Sequence, residues 1–337
     1  MIKLIGANDL QKRGWVSATQ MRPVLGLNDS PFASNATLRK DEWEQIDARV
    51  NEVMRQRLTV ISDLRGRGLV QRVSLGTVLR RTERLADFDD AEVSYDGETA
   101  PQRDRPDFLQ DVIPVPVIAK DFEVNWRQLA ASRERGESLD VTAAALAARK
   151  VADKIQDVFA NGFGAGPGTQ PASSDGLTIP GLSTAASALT ISGSDWAASS
   201  TGIIADVVNM LKTAYAANLF GPFLLYVPKN YWAVLQDDYS TAKGDRTFLE
   251  RIRAFDDIDD VRPLDSLASG SASQANVHLV QMTEDVWDLT EAQDVTTVQW
   301  EKNPFVTRFR VLFVGGPQIK KIERQGGATI HGIVRLL

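Results

Sequence analysis

Apolar residues recur at helical spacing in two long stretches of this chain and alternate with polar residues in several shorter ones. Trp43, Ile46, Val50, Val53 and Ile61 fall three or four residues apart, or at multiples of that spacing. Thr37 is a suitable cap, and Asp41 and Glu42 stand where the helix dipole favours anions. This pattern predicts one amphipathic helix ending near Asp63 to Gly66. A longer helix opens at Asp140. Val141, Ala144, Ala148, Val151, Ile155 and Val158 line one face, and it stops at Asn161-Gly162.

Between the two helices, residues 69–118 read as extended chain. Val73, Leu75 and Leu79 mix with Val70, Arg72, Ser74 and Thr77, and a charged tip follows: Arg80, Arg81, Glu83, Arg84, Asp87, Asp89, Asp90 and Glu92. The return run ends in Val112-Ile-Pro-Val-Pro-Val-Ile, where Pro114 and Pro116 require an edge. The reading is a long two-stranded hairpin. Such a hairpin is marginal alone in water and needs a supporting surface. Residues 120–131 continue as a strand and a short helix, with Phe122, Val124, Trp126 and Leu129 inward.

Gly162-Phe-Gly-Ala-Gly-Pro-Gly opens a Gly/Pro/Ser-rich boundary that lasts to about Trp196. Helices are expected at 200–218, around Tyr231 to Leu235, and at 245–255. Phe223-Leu-Leu-Tyr-Val reads as a buried strand, with shorter strands near 258–262, 277–282, 285–290 and 294–300. The β-rich end is expected to turn at Gly315-Gly316-Pro317 and at Gly326-Gly327. Residues 1–37 have no sustained period, only isolated anchors such as Trp15 and Phe32. A segment of that kind buries little by itself and is expected to lie on another surface, such as a second copy.

The 337 residues suffice for one elaborated domain or two, and 43% apolar with 24% charged residues is ordinary for a globular chain. A net charge of −6 with no dense Lys/Arg block argues against a sequence-reading DNA binder, yet suits a container. The absence of Cys removes disulfides, thiolate nucleophiles and zinc–thiolate sites, and fits a reducing compartment. There is no signal-peptide pattern and no run of about 18 apolar residues to span a bilayer. Catalytic candidates are few. His278 and His331 lack ligand-spaced companions and read as structural. The glycines at 162, 164, 166 and 168 follow a helix instead of a strand, so they do not form a dinucleotide fingerprint. Asp256, Asp257, Asp259 and Asp260 form an acidic cluster without calcium-loop order. It reads as a solvated turn, or as a place of repulsion or ion binding where copies meet around a symmetry axis. No cofactor or metal is expected.

The order of these pieces resembles the encapsulins. The resemblance rests on Asp41-Glu-Trp-Glu-Gln-Ile-Asp with Arg55-Gln-Arg, and on Val115-Pro-Val to Trp126-Arg-Gln-Leu. It continues through Ala147-Ala-Arg-Lys-Val-Ala-Asp-Lys-Ile-Gln-Asp-Val-Phe-Ala-Asn-Gly, Ile179-Pro-Gly-Leu, Gly221-Pro-Phe-Leu-Leu-Tyr-Val and Thr290-Glu-Ala-Gln-Asp-Val. The match runs in order over roughly residues 38–314. Encapsulins share the Hong Kong 97 fold with tailed-phage major capsid proteins. The resemblance therefore implies an α+β chain, with a peripheral domain, an extended loop and an axial domain. Its boundaries are an N-terminal arm at 1–37, first helix at 38–66 and extended loop at 67–118. The spine helix falls at 119–170, the axial domain at 171–299 and the C-terminal peripheral strands at 300–337.

The arm, the expanded 162–196 segment and the extension past Val314 depart from encapsulins towards phage capsids. The expected role is thus a non-enzymatic major capsid protein of an icosahedral, tailed double-stranded DNA phage head. The alternatives are an encapsulin compartment around a cargo enzyme and, more distantly, a soluble oligomeric enzyme. The expected partners are further copies in pentamers and hexamers, with separate scaffolding, portal and decoration or cement proteins. DNA would be enclosed without sequence-specific binding and no membrane would take part. Assembly would occur in a bacterial cytoplasm and the product would be the virion. Candidate inter-subunit contacts are Trp15, Phe32, Arg80, Arg81, Arg84, Asp87, Asp89, Asp90 and Glu92. The family's crosslinking variant uses a loop Lys, and none lies between Asp41 and Ala119, so a non-covalent shell is expected. The segment before the first helix is short for a fused scaffold, and no prosegment cleavage is expected.

Overall fold

The computed structural model describes residues 40–85, 93, 95, 108–125, 127, 134, 142–164, 178–185, 187–197, 200–238, 246–269, 277–303, 306–324 and 328–337. The expectations for Trp15, Phe32, Asp87, Asp89, Asp90, Glu92, Trp126, Leu129, Val141 and Gly326-Gly327 lie outside the described residues.

The first helical pattern forms two helices, α1 (Lys40–Arg57) and α2 (Thr59–Gly66), where one was expected. Leu58 leaves the helical region at φ −84°, ψ 68°. The β-branched run Thr59-Val-Ile propagates a helix less well than unbranched residues. The break is also supported from outside. The Gln156 amide donates to the Arg57 carbonyl and to Thr59 Oγ1, the latter at 3.0 Å. A carbonyl freed by the break therefore has a partner.

The chain continues through β1 (Val70–Arg72), β2 (Leu79–Leu85), β3 (Phe108–Pro114), β4 (Val117–Asn125) and the long helix α3 (Thr142–Asn161). Next come β5 (Leu189–Ile191), α4 (Ile203–Ala216), β6 (Phe223–Val227), α5 (Lys229–Trp232), α6 (Phe248–Arg253), β7 (Ile258–Pro263) and β8 (Val277–Gln281). The chain ends with β9 (Trp287–Asn303), β10 (Val306–Ile319), β11 (Ile322–Arg324), β12 (Ala328–Ile330) and β13 (Ile333–Leu336).

Two compact units result. The first takes the described parts of Met1–Val53, Ala119–Arg149 and Thr296–Leu312. Its buried residues include Ile46 and Val50 on α1, Ala144, Ala147 and Ala148 on α3, and Phe309 and Val311 on β10. Small alanines on α3 allow neighbouring elements to approach closely. β4 lies beside β10, where Phe122 stacks on Phe309 at 5.0 Å between centroids. On the other face Arg310 pairs with Asp121 and sits over the Trp300 ring.

The second unit takes Met54–Ile118, Lys150–Val295 and Phe313–Leu337. It is built on a five-stranded sheet in the order β5-β13-β8-β6-β7. β6 is buried at every position, as its uninterrupted apolar run predicts. On one face Phe223, Leu225, Val227, Val277, Leu279, Val334 and Leu336 pack with Ile203, Val207, Met210 and Ala214 of α4. The sequence reading groups residues 300–337 with the first and spine helices. Instead β13 enters this sheet, antiparallel to β8 and parallel to β5.

Two further expectations are corrected. The strands at 285–290 and 294–300 are a single strand, β9. Gly315-Gly316-Pro317 is not a turn, because β10 runs straight through it. A Cβ on Gly315 would lie 2.5 Å from the Thr290 carbonyl, and one on Gly316 would lie 3.0 Å from Pro116. These glycines mark close backbone approach across the sheet.

At the end of α3, Gly162 takes φ +72°, the left-handed conformation that favours glycine at a helix C-terminus. The chain then makes a bridge in which Phe163 and Ile179 exchange backbone hydrogen bonds of 2.9 and 2.6 Å. Gly162 and Gly181 meet back to back, since a Cβ on Gly181 would lie 2.1 Å from the Gly162 nitrogen.

Candidate functional site

The hairpin stem carries exposed apolar residues, Leu79, Phe108 and Leu109. It is shorter than the expected 69–118 span. β1 leaves it to pair in parallel with β9, and the stem is β2 against β3, from Leu79↔Pro114 to Leu85↔Phe108. Paired residues share a face, so the stem has two distinct sides.

One side carries Arg80, Thr82, Arg84 and Asp111, and every one of them is bound within its own unit. The Arg80 guanidinium holds both Asp288 oxygens, one at 2.9 Å, and also reaches Thr290 Oγ1 at 2.5 Å and Gln71. Lys320 approaches the same carboxylate at 3.0 Å. Arg80 is 8% exposed and Asp288 2%, so this pair is withdrawn from water. Further along, Gln318 donates to Thr82 at 3.3 Å. Arg84 meets Asp111 and Glu323 at 3.3 Å each, and Lys321 meets Asp111 at 3.1 Å. Arg80 and Arg84 thus belong to the stem and face inward, whereas the sequence reading placed them at a charged tip. Arg81 is exposed on the opposite side.

That opposite side carries Leu79, Val112, Pro114 and Phe108 between Arg81, Glu83 and Gln110. Phe108 is 63% exposed, and Leu75, Val78 and Val117 near the stem root are similarly open. Sequence reasoning found the hairpin and its charges but missed Asp288, Lys320, Lys321 and Glu323. The available signal was the period-two placement of Arg80, Thr82 and Arg84, which marks one polar face without naming what covers it.

The acidic cluster is largely neutralised within the chain. Asp259 pairs with Arg67 at 2.5 Å, and Asp260 with Arg253 at 2.8 Å and Arg262 at 2.9 Å. Asp257 accepts from Tyr215, whose hydroxyl is pushed up to about 12 by that carboxylate. Asp256 is exposed. Among the described residues no three His, Asp or Glu side chains converge as metal ligands. No helix of the described chain is long and apolar enough to cross a membrane. An open depression of about 580 Å³ lies beside Trp196 and Ser200, and among the described residues Asp237 is the titratable side chain that lines it.

The two histidines sit in the interior. His331 Nδ1 lies 3.1 Å from the Lys320 carbonyl oxygen. His278 belongs to a polar row that crosses the five-stranded sheet: Arg262, Tyr226, His278, Arg335 and Thr190. Asp63 binds the Tyr226 hydroxyl at 3.3 Å, and burial holds the Asp63 carboxyl above its usual range. His278 is fully buried, and neither ring nitrogen has a protein partner. Burial, aided by Arg335, pushes it down to about 3.

The unfolded chain takes up this proton near pH 6.5, while the folded chain does so only near 3. Stability is therefore lost as pH falls below about 6.5, and His278 accounts for about 2 kcal/mol of loss at pH 5. The raised Asp63 carboxyl acts in the opposite sense, so the variant must be compared with the parent. His278→Leu is expected to flatten urea-measured stability between pH 7 and 5 by that amount. Parallel curves for parent and variant would refute the assignment.

Solved structures share this architecture at low identity. The virus-like particle from Pyrococcus furiosus is 18% identical, with 87% of this chain and 98% of that chain covered, at a TM-score of 0.60. The capsid of Myoviridae phage XM1 is 12% identical, with 80% and 90% covered, at 0.59. A chain of Mycobacterium phage Bobi is 15% identical, with 80% and 88% covered, at 0.55. The protein has the Hong Kong 97-type capsid fold, an α+β architecture. Residues 33–324 match the model described as "Family of unknown function (DUF6260)", and the chain belongs to that family. No curated protein matches the sequence.

Proposed function

We propose that this chain is the major capsid protein of a tailed double-stranded DNA phage, assembling into an icosahedral head around the genome. The observation that carries the reading is the hairpin, on a fold shared with the XM1 capsid. Its inner side is tied to its own unit while its outer side presents Leu79 and Phe108 to solvent, with Val112 half-buried between them. That outer side meets the next copy in a head-to-tail contact, the kind that closes into rings such as pentamers and hexamers. Residues 1–37 clasp neighbouring copies. With no Lys between Asp41 and Ala119, the shell is held by non-covalent contacts. A net charge of −6 suits a wall that encloses DNA without gripping it. Scaffolding, portal and decoration functions fall to separate proteins, and assembly takes place in the bacterial host.

The coverage of 98% of the Pyrococcus furiosus particle chain favours a second reading, a compartment around a protein cargo. Electron microscopy of the purified full-length chain is the test. Closed icosahedral shells are expected, and small discrete oligomers under all conditions would overturn the shell reading. Particles isolated from the native source separate the two versions, since a protein filling in place of DNA replaces the phage head with a cargo compartment.

A further inference from the structure

The polar row across the five-stranded sheet is compensated at one end only. Arg262, Tyr226, His278, Arg335 and Thr190 are paired strand to strand, so all five share a face. At the Arg262 end two carboxylates supply negative charge. Asp260 lies 2.9 Å and Asp63 3.7 Å from Arg262, and Asp63 also accepts from the Tyr226 hydroxyl. At the Arg335 end, no carboxylate of the described residues acts on the guanidinium.

Arg335 is half-buried, and its Nε is closed off from water without a protein acceptor. A guanidinium keeps its charge in such a place, because its pKa lies far above neutrality. Burial lowers that pKa here, and no carboxylate opposes the effect. The neighbouring His278 is fully buried, with neither ring nitrogen bound by protein. Residues paired across strands hold their Cβ atoms about 4.5–5.5 Å apart, so one small ligand can touch both side chains. Arg335 offers N–H donors, the imidazole offers another, and Thr190 adds a hydroxyl at the exposed end. This end of the row therefore has donors and a fixed positive charge, but no anion. Buried polar groups are ordinarily hydrogen-bonded and buried charges paired.

We infer that Arg335, His278 and Thr190 form a binding site for a small free oxyanion of the phosphate type. The ion does at this end of the row what Asp63 and Asp260 do at the other. Arg335 is the main ligand, because a planar guanidinium matches two oxygens of one oxyanion. His278 adds a donor from the interior. Its full burial keeps it from the phosphates of a nucleic-acid strand, which leaves a free ion as the ligand. Bound there, the anion ties β13 to β8 and β5, the strands on either side of it. The site lies within one chain and stands or falls independently of shell assembly.

The chain has two histidines, so isotope-labelled histidine gives two sets of ring signals. Magic-angle-spinning magnetic resonance reads them on the full-length chain, assembled or not. Millimolar inorganic phosphate is expected to shift the His278 ring signals. His331, whose Nδ1 faces the Lys320 carbonyl, is expected to stay in place. Phosphorus-to-nitrogen dipolar dephasing is expected to place the ion beside the His278 ring. That measurement needs no variant, so it decides the matter even where a substitution disturbs the fold.

Arg335→Gln is expected to raise the phosphate concentration at half-shift by at least roughly tenfold, since charge-assisted hydrogen bonds are lost. Arg335→Lys keeps the charge without the fork and is expected to fall between parent and Arg335→Gln. Chloride at equal ionic strength and a short DNA duplex are each expected to leave His278 unmoved. An unshifted His278 ring without dephasing, up to high millimolar phosphate, would overturn the site. Equal affinity in Arg335→Gln would overturn the assigned ligand. An equal response to chloride would reduce the effect to charge screening, and a response to the duplex would overturn the free ion.

Discussion

Asp288→Ala is expected to lower the stability of the chain by about 3–5 kcal/mol, read as a fall in the urea midpoint at constant slope. Asp288 is 2% exposed and holds the Arg80 guanidinium through both oxygens, with Lys320 at 3.0 Å. Removing it leaves a buried guanidinium with, among the described residues, only Thr290 and Gln71 as acceptors. Lys320 is less affected, since its ammonium also donates to the Glu284 carbonyl at 2.5 Å and is partly open to water. The loss measures a stranded charge and not the net value of the pair. Arg80→Met with Asp288→Leu should therefore recover most of it, because a well-packed apolar pair is often as stable as the ions it replaces. A loss below about 1 kcal/mol for Asp288→Ala, the range of exposed pairs, would show that the root is hydrated.

Phe108→Asp combined with Val112→Asp is expected to abolish assembly while leaving the subunit folded. Both residues lie on the outer side of the stem, and Phe108 is 63% exposed, so little intramolecular packing is lost there, while Val112 is half-buried and its single change is the control for folding. A phenylalanine buries about 150–250 Å², and two-thirds of that at about 25 cal/mol per Å² is roughly 2.5–4 kcal/mol per contact. Each factor of ten in association corresponds to about 1.4 kcal/mol, so one contact loses at least roughly sixtyfold. A shell repeats the contact at every subunit, which turns that loss into failure to close. Arg81→Glu on the same side is expected to have much less effect, because an exposed ion pair contributes about 0–1 kcal/mol. Gradient sedimentation reads assembly, and circular dichroism confirms the fold. Normal shells from the double variant would exclude the outer side of the stem as the contact.

What could be read from the sequence was whatever depends on near neighbours. The Ala144, Ala148, Val151, Ile155 and Val158 face located α3, and its Gly162 stop is the helix end observed. Phe223 to Val227 reads as a buried strand because no polar residue interrupts it. The misreadings involve distant partners. Nothing local to Leu58 reveals that Gln156 will accommodate a helix break. The Gly315-Gly316-Pro317 run looks like a turn until Thr290 and Pro116 are placed against it. The seam under the hairpin joins residues 208 positions apart, and no periodicity carries that information. The α+β class and the capsid fold came from the order of pieces, where several weak local matches reinforce one another.

The paired glycines at the end of the long helix have a different kind of consequence. Phe163 and Ile179 are hydrogen-bonded to each other, and Gly162 and Gly181 clamp the same point, so the chain departs and returns through one fastened gate. That fastening, and not the length of the chain between, holds the two ends together. Doubling the length of such a loop costs only about 0.6 kcal/mol in closure entropy. Evolution is therefore nearly free to lengthen or rewrite this segment, and one framework can carry different outgrowths there without any anchor moving.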